Sequence, residues 1–355
     1  MANALITGWG MYAPSRVMTN HDLEKLVDTS DEWIVSRTGI RERRIAADNE
    51  TTTTLSVHAA RDALAVAGMS PHELDLVIVG TCSPDYYMPA TAVLVAHELG
   101  ATRAAGFDLM AACSGFVFSL ATATAYVRSG MYRNVLVIGV ELLSRFLDYT
   151  DRNTCVLFGD GAGAVIVSAS DAPGGLMGLD MYSDGSGKEG IIFPAGGSAC
   201  PTTPKTVAEG GHFVHMAGKE VYRYATRQLA ESARSALRDA GLTVDDVDQF
   251  LFHQANLRII ESVQNAVGIP PEKTYLNIEK YGNTSAASVP MALVEAIADG
   301  RIKPGDRLLM VAFGAGYTAG AAVVEWTADP ARAFLAPGSQ TRLGHPQRTL
   351  SEAVA

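Results

Sequence analysis

Three side chains that could share one reaction stand far apart in the sequence: Cys113, His253 and Asn283. A thiol can act as a nucleophile, while an imidazole and a carboxamide can donate hydrogen bonds to an oxygen that gains negative charge. Cys113 lies in A-A-C-S-G-F (111–116), where small neighbours let a substrate carbonyl approach and leave the backbone N–H of Cys113 free to donate. This pattern favours acyl transfer through a cysteine.

The thiol is expected at a turn from a strand to a helix. The run A-A-G-F-D-L-M (104–110) has strand character, and the run after Cys113 is helical and ends at Gly130. The unpaired N–H groups of a helix start stabilise an anion and lower the pKa of a thiol, so we expect thiolate near neutral pH. An inert buried cysteine is the alternative interpretation.

His253 and Asn283 also stand at helix starts. His253 follows the strand Q-F-L-F and precedes a helix with Asn256 in its opening turn, and Asn283 lies in Y-G-N-T-S-A-A-S. Strand ends that face a helix start are where α/β folds place catalytic groups. Taken singly, the histidine could be only hydrogen-bonded and the asparagine only an N-cap.

Two stretches of the chain, 65–80 and 238–253, are alike. Each ends a helix at a glycine and enters a strand at an aspartate seven residues later. Cys113 and Asn283 each lie 17 residues before a glycine that ends a helix, which makes Asn283 the expected counterpart of Cys113. We therefore predict two βαβ-type halves offset by roughly 170 residues. Ordinary alternation of helix and strand, without duplication, is the alternative.

The same patterns suggest how the chain is divided. Apolar strands without alternation, such as L-V-I-V-G, indicate sheets that are buried on both faces. We predict an N-terminal half at 1–175 that carries the nucleophile, with 142–160 as an insertion, and a C-terminal half at 176–328. The segment 176–215 is rich in Gly, Pro, Ser and Thr and is expected to be a long loop region with room for a short hairpin. Residues 329–355 are expected to form a mobile tail.

The composition excludes several classes of protein. With 355 residues, 48% of them hydrophobic and 19% charged, the chain is typical of a globular protein. No apolar run reaches the roughly 18 residues that cross a bilayer, and we expect neither a membrane partner nor a signal peptide. The four cysteines form no C-x-x-C pair, which favours free thiols and a cytoplasmic protein. A net charge of −10 argues against nucleic acid as a partner.

Other motifs carry no chemistry in this interpretation. The glycine-rich runs complete no nucleotide-binding motif. His212 and His215 form H-x-x-H without nearby acidic ligands, and we predict no metal site. Asp108 and Asp160 are expected to have structural roles near the core. An α/β-hydrolase elbow fits A-x-C-x-G, but that fold has its histidine near the C-terminus, whereas more than 70 residues of patterned sequence follow His253.

Six motifs appear in the order typical of one family. They are D-E-W-I-V-S-R-T-G-I (31–40), A-A-C-S-G-F (111–116), F-G-D-G-A-G-A (158–164), H-Q-A-N-L-R-I-I (253–260), Y-G-N-T-S-A-A-S-V-P (281–290) and F-G-A-G-Y-T-A-G (313–320). Between residues 3 and 326 the chain resembles β-ketoacyl-acyl carrier protein synthase III, a family of condensing enzymes. The resemblance implies an α/β homodimer with the thiolase fold, in which two duplicated halves form five αβαβα layers.

The resemblance also implies a role for each matching position. Cys113 would be the nucleophile, and His253 and Asn283 would support decarboxylation. The backbone N–H groups of Cys113 and Gly316 would form an oxyanion hole. The residues implied in binding coenzyme A are Trp33 and Arg152 on either side of the adenine, Arg37 near the phosphates, and Thr29, Gly218 and Asn256 along the channel.

The implied reaction is a decarboxylative Claisen condensation that starts fatty acid biosynthesis. An acyl-coenzyme A primer would acylate Cys113, and malonyl-acyl carrier protein would supply the enolate. The coenzyme A thioester would be a substrate, and no cofactor would be bound permanently. Two other functions remain open: a starter condensing enzyme of a polyketide-type pathway, and a thioesterase that relies on Cys113.

A basic helix face is the candidate surface for the carrier protein. Three cations recur at helical spacing in the run 219–238: Lys219, Arg223 and Arg227. Spacing alone favours a solvated helix face over a docking surface. The family docks its carrier near the positions of Arg223 and Arg258, so the resemblance implies docking here.

Met88 is the candidate determinant of primer length. It lies in D-Y-Y-M-P-A, at the position from which a dimer partner reaches into the acyl pocket in the family, and many relatives have Phe there. Because Met is slimmer and more flexible, we expect primers somewhat longer than acetyl to be accepted.

Overall fold

The structure, a computed structural model, describes residues 2–335. Its strands are β1 (Asn3–Tyr12), β2 (Arg16–Thr19), β3 (Glu42–Ile45), β4 (Leu76–Gly80), β5 (Ala105–Leu109), β6 (Asn134–Glu141), β7 (Gly161–Ser170), β8 (Gly175–Tyr182), β9 (Ile191–Ile192), β10 (His215–Met216), β11 (Gln249–Phe252), β12 (Arg307–Gly314) and β13 (Thr318–Glu325). Its helices are α1 (Asn20–Leu23), α2 (Asp31–Thr38), α3 (Thr52–Ala67), α4 (Thr91–Leu99), α5 (Gly115–Arg128), α6 (Pro204–Ala208), α7 (Gly218–Ala240), α8 (Leu257–Val267), α9 (Ile278–Tyr281), α10 (Ser288–Ala298) and α11 (Arg332–Leu335).

Local sequence explains where the long helices begin and end. Thr51 caps α3 by accepting a hydrogen bond from the backbone N–H of Thr54. Gly68 ends α3 with a φ of 65°, and Gly241 ends α7 with a φ of 68°, a left-handed conformation that glycine adopts at little cost. Strand β4, L-V-I-V-G, is buried along its whole length, as the absence of polar alternation predicts.

Two mixed sheets form the framework. In the first, the strand order is β1-β7-β6-β4-β5, with β4 parallel to β5 and β6 and the other pairs antiparallel. In the second, the order is β11-β12-β13-β8, with β11 parallel to β12. In the second sheet, an isolated parallel bridge between Phe250 of β11 and Thr274 takes the position that β5 has beside β4 in the first sheet.

Apolar packing arranges the sheets and helices in five layers. One core, which includes Leu55, joins α3 and α4 to the outer face of the first sheet. The central core contains Phe116 of α5 and Leu293 of α10, which fill the space between the two sheets. A third core, with Leu229 and Phe250, joins α7 and α8 to the outer face of the second sheet. The predicted αβαβα architecture is confirmed.

The predicted internal duplication is also present, and its offset is 173 residues. The carboxylate of Asp75 accepts the backbone N–H of Asn134 at 2.9 Å, and that of Asp248 accepts the backbone N–H of Arg307 at 2.9 Å. Both pairs of positions differ by the same number (248 − 75 and 307 − 134, each 173). These bonds tie corresponding strands together in the two halves.

The counterpart of Cys113 is Ala286, so the prediction that it is Asn283 is wrong. Ala112 and Ser285, 173 positions apart, have φ values of 47° and 49°, and each opens a short 3₁₀ turn before α5 or α10. Asn283 precedes Ala286 by three residues, and α10 is three residues shorter than α5 (11 against 14). The two differences cancel in the spacing to the next glycine, which made the sequence match misleading.

Three segments can be compared with their predictions. The segment 142–160 has no counterpart between β12 and β13, so it is an insertion. The predicted loop at 176–215 begins with β8, which pairs with β13, because its apolar residues complete the second sheet. β9 and β10 form the short antiparallel pair within it. The predicted tail begins with α11, and 336–355 lies outside the described residues. None of the helices in the described range is both long and apolar enough to cross a membrane.

Candidate active site

Cys113 lies where β5 turns into α5. The chain passes from Leu109 through a 3₁₀ turn (Ala112–Ser114) and enters α5 at Gly115. The end of β12 approaches this turn so closely that a Cβ on Gly314 would lie 2.5 Å from the backbone nitrogen of Cys113. Small residues are therefore required on both sides of the contact.

Asn283 lies in the loop before α10, and its side chain is held by the backbone. The N–H of Ser285 donates to Asn283 Oδ1 at 2.8 Å. The backbone of Asn283 makes two hydrogen bonds to the insertion at 142–160. Its N–H donates to the carbonyl of Leu157, and its carbonyl accepts from the N–H of Gly159. With Oδ1 occupied, the amide NH₂ of Asn283 is the group available to a ligand.

His253 follows β11 and is held by α10. The hydroxyl of Ser288 accepts the backbone N–H of Gln254 at 2.6 Å and lies 3.1 Å from His253 Nδ1. If the hydroxyl hydrogen points to Nδ1, the ring carries its proton on Nε2. Burial lowers the pKa of His253 to about 3, so the imidazole is neutral at ordinary pH.

The predicted triad meets in one cavity. Cys113, His253 and Asn283 all line a cavity of about 1800 Å³, together with Ser285 and Gly316. The hydroxyl of Ser285 lies 3.2 Å from Cys113 Sγ. The three distant segments therefore contribute to the lining of one cavity, and the roles of their side chains in a common reaction stay a prediction.

Three residues with strained backbone surround this cavity. Among the described residues, positive φ values at non-glycine positions occur at Ala112, Ser285 and Tyr317 (47°, 49° and 45°). Two of them adjoin a predicted site residue, since Ala112 precedes Cys113 and Tyr317 follows Gly316, and Ser285 lies two residues after Asn283. Such strain is uncommon and concentrates at functional sites.

The environment of the thiol differs from the sequence prediction. Burial raises the pKa of Cys113 to about 12, and the hydrogen bond from Ser285 opposes this shift. The negative charge of Glu141 also raises it. Desolvation is therefore the dominant influence on the pKa of this thiol in the free protein, and the expected lowered pKa is not present.

Most residues predicted to bind coenzyme A lie along the same cavity. Trp33, Arg37, Arg152, Gly218 and Asn256 line it. The guanidinium carbon of Arg152 lies 5.2 Å from the centre of a Trp33 ring, so the two side chains stack directly and an adenine between them requires Arg152 to move. Asn256 caps α8 and donates to the backbone carbonyl of Arg37 at 3.1 Å.

Thr29 differs from the other predicted channel residues. It does not line the cavity, and its buried hydroxyl has no hydrogen-bond partner among the described residues. The loop that carries Thr29 is hydrogen-bonded to a residue of the cavity lining, since Arg152 donates to the backbone carbonyl of Asp28 at 3.0 Å.

The basic residues lie on neighbouring helices near the cavity. Lys219, Arg223 and Arg227 are exposed on α7, and Arg258 is exposed on α8. Lys219 and Arg258 also line the cavity. The two helices are joined by a hydrogen bond of 2.8 Å between the hydroxyls of Tyr222 and Ser262.

Met88 is one of several large apolar side chains that are exposed to solvent. It is 85% exposed and does not line the cavity of its own chain. Tyr86, Tyr87 and Met110 are exposed as well (61%, 85% and 70%).

The two aspartates set aside earlier have local structural roles. Asp108 accepts the backbone N–H groups of Thr91 and Ala92 at the start of α4, and Asp160 accepts that of Ala46. Within residues 2–335, no group of three or more His, Cys, Asp or Glu side chains is arranged to hold a metal ion.

Sequence reasoning missed Glu141, Ser285 and Ser288. Glu141 is fully buried and ends the apolar run V-L-V-I-G-V, so a single charge that completes an apolar strand was the available signal. Ser285 and Ser288 lie in a quoted motif, but nothing in their spacing distinguishes a site hydroxyl from a helix cap.

Comparison with known proteins identifies the family. The family model of 3-oxoacyl-[acyl-carrier-protein (ACP)] synthase III matches residues 107–185, and that of its C terminal matches 237–326. The chain is 50% identical over 329 residues to the β-ketoacyl-[acyl-carrier-protein] synthase III of Roseiflexus sp. (strain RS-1), across 92% of this chain and 100% of that protein.

Solved structures of similar proteins support the same family assignment. 3-Oxoacyl-[acyl-carrier-protein] synthase III from Aquifex aeolicus VF5 has a TM-score of 0.84 and 46% identity, covering 91% of this chain and 100% of that one. The priming β-ketosynthase from the R1128 polyketide biosynthetic pathway has a TM-score of 0.86 and 39% identity, covering 93% and 97%. With its layered fold and with cysteine, histidine and asparagine in one cavity, this chain belongs to the β-ketoacyl-[acyl-carrier-protein] synthase III family of thiolase-fold acyltransferases.

Proposed function

We propose that this protein condenses an acyl-coenzyme A primer with malonyl-acyl carrier protein and so initiates fatty acid biosynthesis. The single observation that carries the proposal is that Cys113, His253 and Asn283 line one cavity in a chain 50% identical to a β-ketoacyl-[acyl-carrier-protein] synthase III. A thiol, a neutral imidazole and a carboxamide are the groups that this chemistry needs.

In the first half-reaction, Cys113 thiolate attacks the primer thioester. The carbonyl oxygen gains negative charge in the tetrahedral intermediate, and the N–H groups of Cys113 and Gly316 stabilise it. The intermediate expels the sulfur of coenzyme A, which leaves as the thiol after taking a proton, and the acyl group stays on Cys113.

In the second half-reaction, malonyl-acyl carrier protein loses carbon dioxide. The electrons of the broken carbon–carbon bond form an enolate, whose oxygen accepts hydrogen bonds from Nε2 of His253 and the amide of Asn283. Burial keeps His253 neutral, so it serves as a donor without an added positive charge. The enolate carbon then attacks the acyl-cysteine and releases Cys113, which gives a 3-ketoacyl product on the carrier.

Substrate binding follows from the lining of the cavity. Coenzyme A would enter as a thioester substrate past Trp33, Arg37 and Arg152, and no permanent cofactor is required. The acidic carrier would dock on the exposed cations of α7 and α8, where Arg258 adjoins the cavity. We assign Thr29, Gly218 and Asn256 to the channel on the family resemblance.

A homodimer would cover exposed apolar side chains such as Met88 and Met110. Strand β5 is at the edge of the first sheet, and an unpaired edge can join the same strand of a second copy. Met88, which is 85% exposed, would then reach the partner's acyl pocket and admit primers somewhat longer than acetyl. Competition between acetyl- and hexanoyl-coenzyme A tests this, and a strict acetyl preference would refute it. The protein would act in the cytoplasm.

A starter enzyme of a polyketide pathway is the second candidate. It is favoured by the 39% identity to a priming β-ketosynthase of the R1128 pathway. The same triad would serve, and the preferred primer would differ. A thioesterase, the third possibility, would release a free acid.

The test is mass spectrometry of the products formed from acetyl-coenzyme A and malonyl-acyl carrier protein. We expect acetoacetyl-carrier, coenzyme A and carbon dioxide in equal amounts. Free acetate without a condensed product would favour the thioesterase. A profile of primers from two to eight carbons separates the two condensing functions.

A further inference from the structure

A buried carboxylate lies next to the nucleophile, and the proposed mechanism leaves it unused. Glu141 is fully buried at the end of β6. Its oxygens accept hydrogen bonds from the backbone N–H of Cys82 at 3.1 Å and from the hydroxyls of Ser83 and Thr81 at 2.5 and 3.3 Å. Among residues 2–335, no Lys, Arg or His forms an ion pair with Glu141. A buried carboxylate without a cation is costly and indicates a function.

One hydroxyl connects this carboxylate to the thiol. Ser285 Oγ lies 3.2 Å from Cys113 Sγ and 3.2 Å from Glu141 Oε1. The hydroxyl has a single hydrogen, so it can donate to only one of these two atoms at a time. If it donates to Glu141, the thiol hydrogen can point to Oγ; if it donates to the sulfur, the carboxyl group carries the proton. The two arrangements differ only by a shift of two hydrogens.

We propose that Ser285 and Glu141 form a proton relay that converts the Cys113 thiol to the thiolate. The Sγ–H proton moves to Ser285 Oγ while the hydroxyl proton of Ser285 moves to Glu141 Oε1. The products are a thiolate and a neutral carboxylic acid, and no other reactant is needed. Ser285 touches the reacting sulfur and is a catalytic residue, whereas Glu141 acts through it. This proposal rests on the nucleophilic role of Cys113 under the proposed function.

Charge conservation within the site favours this route. Loss of the thiol proton to solvent would leave two negative charges, on Cys113 and Glu141, in one apolar region. Transfer to Glu141 keeps a single negative charge there, so the two groups share one proton as a coupled pair. The departing sulfur of coenzyme A can then take the proton back through Ser285.

The histidine is a poorer acceptor of this proton. No hydrogen bond among the described residues joins Cys113 Sγ to the His253 ring, whose Nδ1 faces Ser288. Burial lowers the pKa of His253 to about 3, whereas burial raises the pKa of Glu141 above its usual value. The other titratable group in contact with Glu141 is Cys82, whose thiol donates to Oε1 at 3.2 Å and whose pKa burial also raises.

The test is the rate at which iodoacetamide alkylates Cys113 between pH 6 and 10. Peptide mass spectrometry separates this product from alkylation of Cys82. We expect Ser285→Ala and Glu141→Gln each to slow alkylation at pH 7 at least about tenfold, since each interrupts the transfer. Ser119→Ala is the matched control, because that buried hydroxyl has no hydrogen-bond partner within residues 2–335, and it should alkylate at the wild-type rate.

The carboxamide variant gives opposite results under the two accounts of Glu141. If Glu141 only repels the thiolate, Glu141→Gln removes the repulsion and speeds alkylation, and that result overturns the relay. Should Glu141→Gln not fold, Ser285→Ala decides alone, and a rate equal to that of Ser119→Ala contradicts the proposal. Ser285→Ala keeps the backbone bond to Asn283, so malonyl decarboxylation should persist while acyl transfer falls.

Failure of the relay can be told apart from failure of the proposed function. Alkylation needs no acyl donor, so it reports on the relay alone. Absence of acetyl transfer to wild-type Cys113 from acetyl-coenzyme A would instead contradict the proposed function.

Discussion

The two halves have the same fold but contribute different chemistry to one cavity. The N-terminal half has a thiol on its helix start, and the corresponding residue of the C-terminal half is Ala286. Strand β6 ends in Glu141, and its counterpart β12 ends in Gly314 (141 and 314 differ by 173). The carboxylate fits beside the thiol, whereas a side chain on Gly314 would collide with the backbone of Cys113.

This difference teaches how a duplicated scaffold divides a reaction. Two equivalent helix starts face one cavity, and under the proposed function one half would perform the covalent step while the other would stabilise an enolate. Mutations should therefore impair acyl transfer and decarboxylation separately, and the predictions that follow test this division.

The largest effect is expected for Cys113→Ala. Condensation should fall at least about a thousandfold, because no acyl-enzyme can form. Carbon dioxide release from malonyl-acyl carrier protein should remain measurable, since His253 and Asn283 are intact. Near wild-type condensation would show that the covalent step is not in this half.

The converse effect is expected for His253→Ala and Asn283→Ala. Each removes one donor to the enolate oxygen and should slow decarboxylation about a hundredfold to a thousandfold. Acetyl transfer from labelled acetyl-coenzyme A to Cys113 should stay within a few-fold of wild type. Equal losses in both half-reactions would contradict the division between the halves.

Gly314→Ala should affect the contact between the halves. Its Cβ would lie 2.5 Å from Cys113 N and 3.0 Å from Ala112 Cβ, so the strand or the turn must shift. We expect a loss of about 1–3 kcal/mol in the free energy of unfolding and slower acetyl transfer. Gly185→Ala, whose Cβ would meet nothing within 4 Å, is the control and should be close to neutral in a urea titration.

Acid should lower the free energy of unfolding through His253 in the C-terminal half. Its pKa is about 3 in the folded protein, against an ordinary value of 6.5 for the unfolded chain, so between these values the unfolded chain binds more protons. Stability is therefore lost as the pH falls from about 6.5, by about 2 kcal/mol at pH 5. His253→Asn should lose less stability between pH 7 and pH 5 in urea titrations. An equal loss in both proteins would mean that another group causes the acid effect.

The smallest effect is expected for charge reversal on the C-terminal surface. Arg223→Glu with Arg258→Glu should raise the carrier KM about tenfold, with little change in the KM for acyl-coenzyme A. Arg61→Glu, an exposed arginine on α3 of the N-terminal half, controls for net charge. Equal changes for both substrates would argue against docking at α7 and α8.

Much of the site could be predicted from sequence because its signals are local. The small residues around Cys113, the strand end before His253 and the glycine that ends each helix are all adjacent in the chain. These local rules also predicted the duplication. They failed on the counterpart of Cys113, because three residues lost from α10 cancelled the three that separate Asn283 from Ala286.

The sequence by itself determined the residue types, the alternating helices and strands, and the family. The tertiary structure alone decided the electrostatic state of the site. Burial raises the pKa of Cys113 to about 12 and lowers that of His253 to about 3, because desolvation depends on packing by distant segments. It also connected Glu141 to Cys113 through Ser285, which lies 144 positions from Glu141 and 172 positions from Cys113 in the sequence.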